Sequence, residues 1–439
     1  MESQQPQAAV AMNILIFTFG SRGDVQPYVA LGTALRRGGH QVCLSTGQGF
    51  DDMIAAHGLT AAPLSINYRE LIDTPEAQAA FRSMSGKFRA MRAFKDVVCE
   101  QFREMWELSR EVRPDVIIYH PKGFIAQDIA AALGAVAIPT TLQPSYVATS
   151  EFPNPFLPFT NLGAFGNKLS HHFIERLTFW AQRNMEGRWR KEMPARANST
   201  SRGTFFGGHD PEGRTVPRLH GYSSIIVNRP RDWTAREHIT GYWFFEPNTD
   251  WEPAEDLHRF LATGPPPVYV GFGSMPAADA QSQTGMVIEA LRQAGQRGIL
   301  ATGWGGLKPL AGSANDVLFL DVAPHDWLFQ RCAAVVHHGG AGTTHEGLRW
   351  GRPTVICPLG VDQPYWGRRV NALGAGPPPL PQKSLNVADL SRAIGESLKP
   401  GTVARAAKLG EAIRAEGGAD AAAAVVNGFV VGAGRPHAS

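Results

Sequence analysis

Residues 13–37 read NILIFTFGSRGDVQPYVALGTALRR. The first seven are apolar, β-branched or aromatic, apart from Asn13, and predict a buried strand over 13–19. Gly20-Ser21-Arg22-Gly23-Asp24 is a turn signal. Residues 25–37 then carry apolar positions at helical spacing until Gly38-Gly39 stops them. Residues 41–45 (QVCLS) predict a second strand. Strand, glycine-rich loop, helix and strand in that order open a doubly wound α/β sheet.

The same grammar continues. Residues 116–119 (VIIY) predict a strand, 127–133 a helix, 135–138 a strand and 224–228 (SIIVN) the last strand of this half. After the TGPPP of 263–267 a second alternation begins. Strands are expected at 268–271, 298–301, 317–320, 333–337 and 354–357, with helices at 284–296 and 342–350. A chain of 439 residues exceeds one ordinary core. The expectation is two Rossmann-like domains facing across a cleft, with domains at 12–235 and 236–403. Residues 1–11 read as a disordered leader without a signal-peptide pattern. Residues 68–106 and 153–190 read as insertions at the mouth of the first sheet, and 198–218 as a mobile polar loop.

Hydrophobic residues make up 43% and charged residues 18%, which excludes a disordered chain. The net charge of +3 is too small to point to nucleic acid. Cys43, Cys99, Cys332 and Cys357 are far apart and lack metal-ligand spacing, so free thiols in a reducing cytoplasm are expected. The apolar tail at 421–431 is too short to span a bilayer.

Two glycine-rich turns carry the chemistry. In the second, His337-His338-Gly339-Gly340-Ala341-Gly342-Thr343-Thr344, a glycine loop leads into a helix with Glu346 expected on its first turn. Amide donors and the helix dipole there suit a diphosphate. The first turn carries Asp24, which would repel phosphate. Neither turn matches the dinucleotide fingerprint, which disfavours a dehydrogenase, and no P-loop lysine is present. One side of the cleft would hold a nucleotide and the other a base.

Together these residues resemble the inverting glycosyltransferases of GT-B fold, above all the sterol glucosyltransferases and the enzymes that glycosylate antibiotic aglycones. The resemblance rests on residues 20–27 (GSRGDVQP), Asp232-Trp233, Gly241-Tyr242-Trp243, 267–275 (PVYVGFGSM), and the spaced set from 324–327 (PHDW) through 338–343 (HGGAGT) to Asp362-Gln363. It covers the chain from Met12 to about Pro400 and implies that the segment 404–439 crosses back to the first domain.

What the resemblance implies for individual residues is specific. Asp24 is the general base on the acceptor hydroxyl, where plant relatives carry a histidine; a helix cap is the simpler alternative. His120, where those relatives carry an aspartate, would hydrogen-bond Asp24 or share its role. His338, Gly340, Gly342 and Thr343 would hold the donor diphosphate, with Ser274 reaching the phosphates. Glu346 would accept from the ribose hydroxyls, and Asp362 and Gln363 would read the hexose hydroxyls. Near the turn at Val322, where plant relatives stack a tryptophan on the base, Trp304 would supply the flat face instead. Phe81, Met84, Phe88, Met91, Phe94, Met105, Phe152, Phe156, Phe159 and Phe173 form apolar stripes that are either core or acceptor wall.

The reaction so implied transfers glucose from UDP-glucose to a hydroxyl of a sterol or similar hydrophobic acceptor. The sugar nucleotide is a co-substrate, no cofactor or metal is expected, and membrane contact is at most transient. The alternatives are transfer of a deoxysugar from its dTDP form to an antibiotic or macrolide aglycone, and a noncatalytic sugar-nucleotide-binding protein.

Overall fold

The computed structural model describes residues 11–77, 84–186, 208–246, 251–273, 280–302, 307–310 and 316–431. Two parallel sheets organise them. In the first, β1 (Asn13–Phe17), β2 (Gln41–Ser45), β3 (Thr60–Ala61), β4 (Val116–Tyr119), β5 (Val136–Thr141), β6 (Arg218–His220) and β7 (Glu237–Ile239) lie in the order β3-β2-β1-β4-β5-β6-β7. In the second, β8 (Val268–Gly271), β9 (Gly298–Ala301), β10 (Val317–Leu320), β11 (Ala334–His337) and β12 (Thr354–Ile356) lie in the order β10-β9-β8-β11-β12. Every strand pair is parallel.

The apolar runs follow from burial on both faces. Ile14 and Ile16 enter one core with Val25 and Val29 of the helix Arg22–Arg37. Leu15 and Phe17 point the other way, into a core with Phe102 and Met105. Burying each such side chain contributes roughly 1.5–3 kcal/mol. In the second sheet Val268 and Val270 face one core and Tyr269 the other. Met105 therefore belongs to a core and not to a cleft wall.

Residues 224–228 are not a strand. The amides of Ile226 and Val227 both donate to the Ser223 carbonyl, at 3.2 and 3.0 Å, and close a turn. Ile226 and Val227 are buried with Leu348, Tyr365 and Trp366, in the seam between the two sheets. A short apolar run looks the same in a strand and in a buried turn. The first sheet instead ends with β6 and β7, running through Ile239, past residue 235. Within the expected loop at 198–218, the described part is tied: His209 bridges Thr215, and Arg214 Nε donates to Asp210 Oδ2 at 2.7 Å.

The return to the first sheet's helices starts later than residue 404. The helix Pro400–Arg414 places Ala406, Leu409 and Ile413 against Leu348, beside the second sheet. The helix Gly418–Val431 crosses, burying Ala422, Ala423 and Val426 with Val29 and Leu35. Asn427 Oδ1 lies 2.7 Å from His40 Nε2, and Arg37 Nη2 donates to Asp420 Oδ1 at 2.7 Å.

Candidate active site

Each sheet reverses its strand order once on either side of its first strand. In the first sheet the chain builds outward from β1 to β3, then returns to place β4 on the other side of β1. In the second it builds from β8 to β10, then places β11 beyond β8. Loops leaving the carboxyl ends of strands at such a reversal diverge and open a crevice. Asp24 follows β1 and His120 follows β4. Gly273 follows β8 and His338 follows β11.

Asp24 is the third residue of the helix Arg22–Arg37. Its Oδ2 accepts from the Ser21 amide at 2.9 Å and the Ser21 hydroxyl at 3.1 Å. Its Oδ1 accepts from Lys122 Nζ at 3.0 Å, and the same ammonium donates to the Phe19 carbonyl at 2.9 Å. The Asp24 side chain stays 22% exposed, so the carboxylate is fixed yet reachable. Burial would raise its pKa, but the Lys122 charge and the bonds from Lys122 and Ser21 hold it below the usual value. The carboxylate is therefore ionised at neutral pH. Gly20 permits this packing: at φ +139°, a Cβ there would lie 2.2 Å from Asp24 Oδ2 and 2.6 Å from Lys122 Nζ. The cap and the exposed carboxylate coexist, so capping does not compete with a chemical role.

His120 does not take up the expected hydrogen bond to Asp24, because Lys122 and Ser21 occupy that carboxylate. Its Nδ1 accepts from the Lys122 amide at 3.2 Å. An accepting Nδ1 places the proton of the neutral ring on Nε2, and Nε2 is buried without a partner among the described residues. Burial, with the Lys122 charge, pushes the ring's pKa down to about 3. His337 repeats the motif at the end of β11: its Nδ1 accepts from the Gly339 amide at 2.9 Å, and its buried Nε2 lacks a partner among the described residues. His337 points into the interior, unlike its neighbour.

His338 is half-buried between two glycines. A Cβ on Gly340 would lie 2.6 Å from its Nε2, and one on Gly273 would lie 2.8 Å from its Cε1. Burial pushes its pKa down to about 4, so the ring is neutral. Gly340 caps the helix Ala341–Arg349, and the first intrahelical amide bond there is Thr344 to the Gly340 carbonyl, 3.0 Å. The amides of Ala341, Gly342 and Thr343 therefore have no intrahelical acceptor. Glu346 is the sixth residue of this helix, on its second turn and not its first. Its Oε1 accepts from Trp350 Nε1 at 2.7 Å. Burial pushes its pKa up to about 7, against the pull of Arg349.

The β12 loop supplies Asp362 and Gln363. Val361 adopts φ +58°, a left-handed turn that precedes Asp362 at the cap of the helix Gln363–Ala372. Asp362 Oδ2 accepts from Trp366 Nε1 at 2.7 Å. Burial pushes its pKa up to about 6, with Asp24 adding and Lys122 opposing, which places Asp362 within electrostatic reach of the first domain's loop. Gln363 spends its carbonyl oxygen on its own loop, accepting from the Leu359 amide at 2.8 Å and the Gly360 amide at 3.3 Å. Its amide group is what remains for a ligand.

Val322 is 69% exposed. The nearby His325 is packed on Phe329, its pKa pushed down to about 4 by burial and by Arg22 of the first loop. Ser274, Trp304, Phe81 and the leader residues 1–10 lie outside the described residues, as do the side chains of Met84, Phe88 and Met91. Asp232 turns away from the site, accepting from Thr149 Oγ1 at 2.7 Å and the Ser150 amide at 2.8 Å. Among the described residues no group of three or more His, Cys, Asp or Glu could hold a metal ion.

Two residues near the site had no role in the sequence reading: Lys122 was not named, and Tyr242 entered only within the Gly241-Tyr242-Trp243 element of the resemblance. Lys122 had one signal, its place two residues beyond His120 in a turn leaving a strand of the reversal. Tyr242 stacks on His345 with ring centroids 4.5 Å apart, and its hydroxyl would lie 2.9 Å from a Cβ on Gly342. It thereby lies against the first turn of the helix Ala341–Arg349.

Two parallel-sheet domains with facing reversal-point loops define a GT-B glycosyltransferase fold. Solved structures agree: the glycotransferase of kitacinnamycin superposes with a TM-score of 0.70 at 18% identity, covering 95% of this chain and 98% of that one. The spinosyn rhamnosyltransferase SpnG complexed with thymidine diphosphate gives 0.60 at 18%, covering 95% and 100%. Residues 14–141 match the glycosyltransferase family 28 N-terminal domain. Residues 306–426 match the erythromycin biosynthesis protein CIII-like C-terminal domain. The sterol 3-beta-glucosyltransferases UGT80A2 and UGT80B1 of Arabidopsis thaliana are each 33% identical, over 93% and 95% of this chain. The chain spans 64% and 68% of their lengths. It belongs to the glycosyltransferase family of these sterol 3-beta-glucosyltransferases.

Proposed function

We propose that this protein transfers glucose from UDP-glucose to a hydroxyl of a sterol or similar hydrophobic alcohol, with inversion at the anomeric carbon. The observation that carries the reading is the ionised, partly exposed Asp24 at one strand reversal, within electrostatic reach of Asp362 beside the other. Asp24 takes the proton of the acceptor hydroxyl as its oxygen bonds to the anomeric carbon. The bond to the diphosphate breaks on the opposite side. Charge growing on UDP meets the amides of Ala341, Gly342 and Thr343 and the ring of His338, without a metal. Asp362 and the amide of Gln363 bind hexose hydroxyls, and Glu346 the ribose. His120, held by the Lys122 amide, keeps the Asp24 loop in register.

The 33% identity to sterol 3-beta-glucosyltransferases supports glucose and a sterol-like acceptor. The thymidine diphosphate bound by SpnG supports a sugar nucleotide in this fold and keeps a dTDP-deoxysugar as the second reading. The four free thiols support a cytoplasmic location. The test offers UDP-glucose and dTDP-glucose separately to a mixture of sterols and aglycones, with product mass as the readout. A hexose adduct from UDP-glucose, lost in Asp24→Asn, is expected. An adduct from dTDP-glucose alone overturns the donor assignment. UDP binding without any turnover favours a noncatalytic nucleotide-binding protein.

A further inference from the structure

The helix Gly163–Glu186 is turned inside out. Its polar residues face inward: Asn167 Nδ2 donates to the Ser150 carbonyl at 2.9 Å, Ser170 Oγ accepts from the Asn154 amide at 2.8 Å, and His171 Nε2 lies 3.1 Å from the Phe152 carbonyl. All three side chains are buried. Five of its large apolar residues face outward, while Phe179 packs against the core. Phe165 is 82% exposed, and Leu169, Phe173, Leu177 and Trp180 between 42 and 58%. Their spacing of four, four, four and three residues puts all five on one face. A surface helix normally shows the reverse, and an uncovered apolar stripe of this size marks an interaction site.

Charge selects what covers it. Lys168, His172 and Arg176 are exposed in a second row along the same side, one position from the apolar residues. Glu175, on the same helix, lies 3.7 Å from His172. A second copy of this face packed antiparallel, by a two-fold axis across the helix, would oppose basic row to basic row. An anionic bilayer instead takes the apolar stripe at its acyl boundary and the basic row among its headgroups. We propose that the helix Gly163–Glu186 docks this protein on anionic membrane surfaces, lying in the plane of the bilayer. Among the described residues no helix is long and apolar enough to cross a membrane, so the contact is interfacial.

The docking face backs onto the cleft. His171 packs against Phe152, whose ring lies 5.7 Å from that of Tyr365 on the helix that begins at Gln363. Resting on the proposed sterol-like acceptor, this position brings the cleft to where such an alcohol is dissolved.

The experiment uses the full chain and vesicles without donor or acceptor, so its outcome is independent of glycosyl transfer. Co-sedimentation is measured with phosphatidylcholine vesicles, alone and with roughly one third phosphatidylglycerol. The wild type is expected to pellet with the anionic vesicles and to be released by salt. Phe165→Ser, Leu169→Ser and Trp180→Ser combined should lower the bound fraction at least about tenfold, with an unchanged melting temperature because these side chains are exposed. Lys168→Glu with Arg176→Glu should lower it with anionic vesicles. Wild type remaining in the supernatant overturns the proposal, as does undiminished binding by the triple-serine variant. A vesicle-free dimer that the triple-serine variant makes monomeric also overturns it, assigning the face to a second copy.

Discussion

Lys122 Nζ stands 3.0 Å from Asp24 Oδ1 and 2.9 Å from the Phe19 carbonyl, tying the loops after β1 and β4 together across the reversal. The ammonium does two things to the carboxylate proposed as the base. It fixes the carboxylate's direction, and it offsets the burial that would otherwise raise the carboxyl pKa. Lys122→Met removes the charge and leaves burial in command. The acid limb of the kcat/KM profile should move to higher pH, and kcat should fall roughly ten- to hundredfold from lost positioning. An acid limb that stays in place would show that Asp24 does not control it.

Asp24 also caps its helix, so alanine would confound base with cap. Asp24→Asn keeps an oxygen that accepts from the Ser21 amide and should cost less than about 1 kcal/mol in stability. It has no basicity. The expected result is a fall in kcat of roughly a thousandfold, with UDP affinity unchanged by calorimetry. Turnover close to wild type would move the base elsewhere.

The readable parts of this sequence are those where a single local pattern has a single physical cause. β1 and the following helix were legible because both sheet faces are buried and the loop between them needs glycine. Asp24, His338 and Asp362 were named through the resemblance to GT-B glycosyltransferases, and the structure sets all three in the segments that follow strands β1, β11 and β12. Lys122 was not: its partner is 98 residues away, and only the parallel register of Phe17 beside Tyr119 brings them together. The turn at residues 224–228 was misread because its apolar side chains serve a seam between domains, which periodicity does not distinguish from a sheet. Glu346 falls past the first turn whether its helix is counted from the expected residue 342 or from Ala341, where it starts.

His338 is held between Gly273 and Gly340, and Gly340 has an ordinary backbone conformation, φ −60°. Gly340→Ala therefore introduces only a methyl group, 2.6 Å from His338 Nε2. The ring must swing out of its place while the helix amides stay. UDP affinity measured by calorimetry should fall roughly tenfold, the worth of one hydrogen bond to a charged group. An unchanged affinity would remove His338 from the phosphate site and leave the helix amides as its only ligands.

Asp362 gives a prediction with a defined sign. Its folded pKa is raised from 3.8 to about 6 by burial, so the folded protein holds that proton more tightly than the unfolded chain. Stability from the neutral form is fully present below 3.8, declines as pH rises, and is gone above about 6. At pH 8 the buried carboxylate is a standing cost, retained for hexose hydroxyls under the proposed function. Asp362→Asn removes the charge and keeps an oxygen for Trp366 Nε1. The variant should melt about 2–4 °C above wild type at pH 8, while the two converge as pH falls below 4. It should also lose glucose transfer while still binding UDP. A variant that melts lower than wild type at pH 8 would mean that the carboxylate is satisfied in the resting protein by more than Trp366. A more stable variant with full activity would take Asp362 out of sugar recognition, since a carboxylate kept at a cost to folding must contribute something that an amide of the same shape does not.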